Sequence, residues 1–98
     1  MEKVYNLARV AVYTNNLRKN NRDEYNKFLL FSSMIRDIYI SVDEIQEFLK
    51  THNLSDETIH CAISKVSCEA NSLSMSKEKS EALKEKTMFL KFFVLSQD

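Results

Sequence analysis

"ISVDEIQEFLKTHNLSDETIHCAISKV", residues 40–66, decides the fold. Val42, Ile45, Phe48 and Leu49 recur at three- and four-residue intervals, the period that gathers apolar side chains on one side of a helix. Ser41 precedes Glu44 by three, the spacing of a capping box that satisfies the free amides of a first turn. Asn53 suits a left-handed helix stop. Ser55 then caps a second helix whose first turn holds Asp56 and Glu57, where carboxylates complement the dipole. Ile59, Ile63, Val66, Ala70 and Leu73 make its stripe, with Cys61 and Cys68 on the opposite side of the wheel. The segment is predicted to be two helices and a polar turn.

The rest of the chain agrees. Its 98 residues hold no glycine and no proline. Tight hairpins lean on residues that tolerate positive φ, so a β-rich chain of this length without glycine is improbable. Helices joined by polar loops need none. The first helix is expected over residues 2–18, with Val4, Leu7, Val10, Ala11, Thr14 and Leu17 on one face. Asn21 and Glu24 repeat the capping-box spacing ahead of "EYNKFLLFSSMIRDIYI", a segment apolar on most sides and expected to be buried among other helices or within an oligomer. Its "IYI" end has a strand as the alternative reading. A last helix is expected from about Ser76. The fold class is therefore all-α, a compact bundle of about five helices in a single domain, residues 1–98.

Fourteen Lys and Arg balance fourteen Asp and Glu, so no whole-molecule field pulls the protein onto nucleic acid or an anionic membrane. The charge is uneven: residues 1–22 carry five basic groups and one acid, residues 23–60 three basic groups and eight acids. The N-terminus lacks the apolar run of a signal peptide, and no stretch approaches the roughly 18 apolar residues of a membrane span. A cytoplasmic location without membrane attachment is expected.

Two cysteines seven residues apart on a helix stand about 10 Å apart in rise, too far for a disulfide. With His52 and His60 nearby they match no zinc pattern, and no calcium loop is present, so no metal or cofactor is expected. His60 and Cys61 are adjacent on a helix and point about 100° apart, which is no nucleophile–base pair. Without glycine there is no phosphate-cradling loop. The protein is read as not an enzyme.

Two surfaces remain. Asp43, Glu44, Glu47, Asp56 and Glu57 either serve their own helix ends or form an acidic pair of helices that docks a basic protein surface. In "MFLKFFVL", Phe89, Leu90, Phe93 and Val94 suffice for a core. Met88, Phe92 and Leu95 then point the other way, and covering them would contribute about 4–6 kcal/mol, which favours self-association, as a homodimer, or a hydrophobic partner over completion of the monomer core. A DNA-binding helix-turn-helix is the alternative, with the N-terminal Lys3, Arg9, Arg18, Lys19 and Arg22 on phosphates. Against it, the would-be recognition helix opens with two acids, and its connection is about three residues longer than the tight motif.

The stretch "IHCAISKVSCEANSLSMSKEKSEALKEKTMFL", a helix, a serine-rich loop and an amphipathic last helix, resembles the layout of small helical-bundle immunity proteins that protect bacteria from their own peptide toxins. The likeness covers about the last forty residues and has no diagnostic motif, so no functional residue is transferred. The Lys-over-Arg bias and many Asn residues suit an AT-rich phage or plasmid genome. Together these readings point to a non-catalytic protein-binding module, an inhibitor, adaptor or immunity-type regulator that masks a partner's functional surface.

Overall fold

The computed structural model describes residues 7–71 and 76–96, with side chains as far as residue 93. Five helices follow one another: α1 (Leu7–Asn20), α2 (Arg22–Arg36), α3 (Val42–Thr51), α4 (Asp56–Ala70) and α5 (Lys77–Ser96). Among the described residues there is no strand.

Three of the helix starts are set by the caps read from sequence. The amide of Glu24 donates to Asn21 Oδ1 at 3.3 Å, that of Glu44 to Ser41 Oγ at 3.2 Å, and that of Thr58 to Ser55 Oγ at 3.3 Å. Each satisfies an amide that the helix itself leaves without a partner. Asn53 is not the left-handed stop its residue type suggested, because no described residue has positive φ. Instead α3 ends at His52, which leaves the helix with extended backbone and stacks its ring on Phe48 at 4.1 Å.

Contacts at both ends of α2 fix its direction relative to α4. At one end Glu24 Oε1 accepts the amide of Ser55 at 3.1 Å. At the other, Arg36 holds Glu69 through two hydrogen bonds of 2.6 and 2.9 Å. The two helices run side by side in the same direction, and α3 is the return segment that makes this connection possible. It packs on α2 and α5, with Phe48 stacked against Phe31, and makes no close backbone contact with α4.

The central helix is α4, which packs against α1, α2 and α5. It buries Thr58, His60, Cys61, Ala62, Ile63, Val66 and Ala70, more than one stripe. Cys61, expected beside Cys68 on an outer face, is fully buried because α1 covers that side; Cys68 is exposed. The reverse holds for α2, which the other helices of the chain do not enclose. It buries Phe28, Phe31 and Ile35 but leaves Leu29 and Leu30 exposed.

It also stops at Arg36. The "IYI" segment is a turn, neither helix nor strand, and Ile38 faces out rather than continuing the Phe28–Ile35 line. In α1 the core side is Val10 and Leu17 with Tyr13, a residue placed off the stripe, while Leu7 and Ala11 are exposed. Tyr13 is drawn inward by hydroxyl bonds to Thr58 at 2.8 Å and Ser55 at 3.2 Å. Val4 and Leu73 lie outside the described residues.

Candidate functional site

The outer face of α5 is the first candidate surface. Leu83, Lys86, Thr87 and Leu90 are buried, and this line fixes which side chains point away from the core. Met88 and Phe92, one turn apart, are 57% and 68% exposed, as the spacing predicted. Phe89, assigned to the core from sequence, is 54% exposed. The inward places at its level belong to Lys86, Thr87 and Leu90, and a helix advances about 100° per residue. The side chain of Leu95 lies outside the described residues.

The second candidate is the corner between α2 and α3. Lys86 reaches from α5 to donate to Met34 O at 3.0 Å and Asp37 O at 2.7 Å, two carbonyls at the end of α2. Only 8% of Lys86 is exposed. Burial holds its amine below the ordinary lysine value, against an opposing pull from the carboxylates of Asp37 and Glu44. Within the turn, Asp37 O accepts the amide of Ile40 at 3.1 Å, and Asp37 Oδ1 accepts that of Tyr39 at 2.9 Å. At its tip Ile38 is 45% and Tyr39 90% exposed.

The five carboxylates named from sequence do not gather on one face. Asp43 and Glu44 open α3 at the corner where Lys86 sits, with Glu47 one turn further on. Asp56 and Glu57 open α4 beside the first turn of α2, at the opposite end of a helix roughly 20 Å long. Glu57 there pairs with Arg9 across 3.4 Å. Glu44 also accepts from Ser41 Oγ at 3.4 Å, completing its cap. Sequence reasoning missed Tyr39 and Lys86, and no local signal could have supplied Lys86, whose partners lie about fifty positions away in the chain.

Helix α4 offers little to a DNA groove. Asp56 and Cys68 are its exposed residues, and its remaining polar side chains are half-buried or buried. A recognition helix needs several side chains free to reach base edges. The Cys61 thiol is pushed up to about 11, first by burial and then by the Glu57 carboxylate, with Arg9 opposing. At that value it is a protonated, unreactive group at neutral pH. Among the described residues no group of three or more His, Cys, Asp or Glu could hold a metal ion, and no helix is long and apolar enough to cross a membrane.

No family model, curated protein or solved structure matches this chain.

Proposed function

We propose that this protein is a non-catalytic binding module: a small inhibitor, adaptor or immunity-type regulator that masks a functional surface of another protein and pairs with a second copy of itself. The observation that carries the reading is the outer face of α5, where Met88, Phe89 and Phe92 stand in water on a helix whose opposite side is already buried. Contiguous exposed apolar side chains mark interaction surfaces, and aromatic residues and Met are the types that interfaces concentrate. Covering all three on two copies would remove about 700 Å² from water. That is below the roughly 1,200–2,000 Å² of a stable complex, so the pairing is weak and depends on concentration. The acidic residues of α3 give the hetero-partner a basic surface, since complementary charge speeds encounter and excludes wrong partners.

Sedimentation velocity from micromolar to near-millimolar protein tests the pairing. The wild type is expected to shift toward dimer as concentration rises, and Phe92→Glu to stay monomeric with unchanged helical circular dichroism. A wild type that remains monomeric throughout, or a Phe92→Glu variant that dimerises as well as the parent, overturns self-association through α5.

A further inference from the structure

We draw no further inference here: the strongest candidate, the outer side of α2 that bears the exposed Leu29 and Leu30, is an unpartnered apolar face, and nothing in the structure shows what covers it.

Discussion

Helices α4 and α5 divide the apolar surface of this molecule in opposite ways. Helix α4 reads from sequence as a single stripe with a polar back that includes Cys61, and the fold buries Cys61 along with the stripe while Cys68 stays exposed. Helix α5 holds the densest aromatic run in the chain, and the fold leaves Phe89 and Phe92 in solvent. The difference comes from position. Helix α4 packs extensively on α5, α2 and α1, whereas α5 packs extensively on α4 alone and only lightly on α2 and α3. How apolar a segment is says how much cover it wants, and the arrangement of its neighbours says how much it receives.

The sharpest way to break this contrast is to truncate one side chain from each helix. Ile63→Ala in α4 is expected to cost about 3 kcal/mol, because a side chain 1% exposed leaves a cavity that packed neighbours cannot fill. Phe92→Ala in α5, measured below the concentration at which copies pair, is expected to change stability by no more than about 0.5 kcal/mol. Urea denaturation measures both. Equal costs would mean that α5 is not an edge helix.

A second prediction concerns the two faces of α4. The Cys61 thiol releases its proton near 9.0 when unfolded and near 11 when folded. The stability this confers is whole below pH 9 and drains away as pH rises toward 11, by about 2 kcal/mol. The alkaline loss measured by urea midpoints is expected to be smaller in Cys61→Ala. Lys86 acts with the opposite sign, since burial lowers its amine, but it contributes equally to both proteins. Thiol titration offers an independent check: one equivalent reacts in the native protein, from exposed Cys68, and two react in urea.

The smallest expected effect is at the join between α2 and α4. Arg36 and Glu69 are each 36% exposed in their side chains, so their coupling in a double-mutant cycle should be about 1 kcal/mol and should weaken in salt. A coupling near zero would leave the parallel arrangement resting on apolar packing alone.

Local chemistry was the legible part of this fold. Asn21, Ser41 and Ser55 were read as caps and act as caps, because a capping bond spans three residues and lies entirely within its own stretch of chain. The missing glycine argued for helices, and helices are what formed. What could not be read depended on distant partners. Helix α2 stops at Arg36 rather than running on to Ile40, and its last carbonyls are satisfied from α5. Cys61 is buried by α1, fifty residues earlier. The carboxylates of residues 43–57 looked like one patch because they are close in sequence, and the crossover through α3 separates them. Met88 and Phe92 were placed outward correctly, whereas Phe89 was not, since a wheel cannot say where the buried arc of an edge helix begins.

The tether formed by Lys86 also orders events in time. During synthesis α2, α3 and α4 leave the ribosome before α5, so the carbonyls of Met34 and Asp37 must wait for an amine that has not yet been made. The corner bearing Tyr39 can take its finished form only after the last helix docks. A chain still growing, or one that has failed to seat α5, would thus leave the end of α2 with two carbonyls short of a partner.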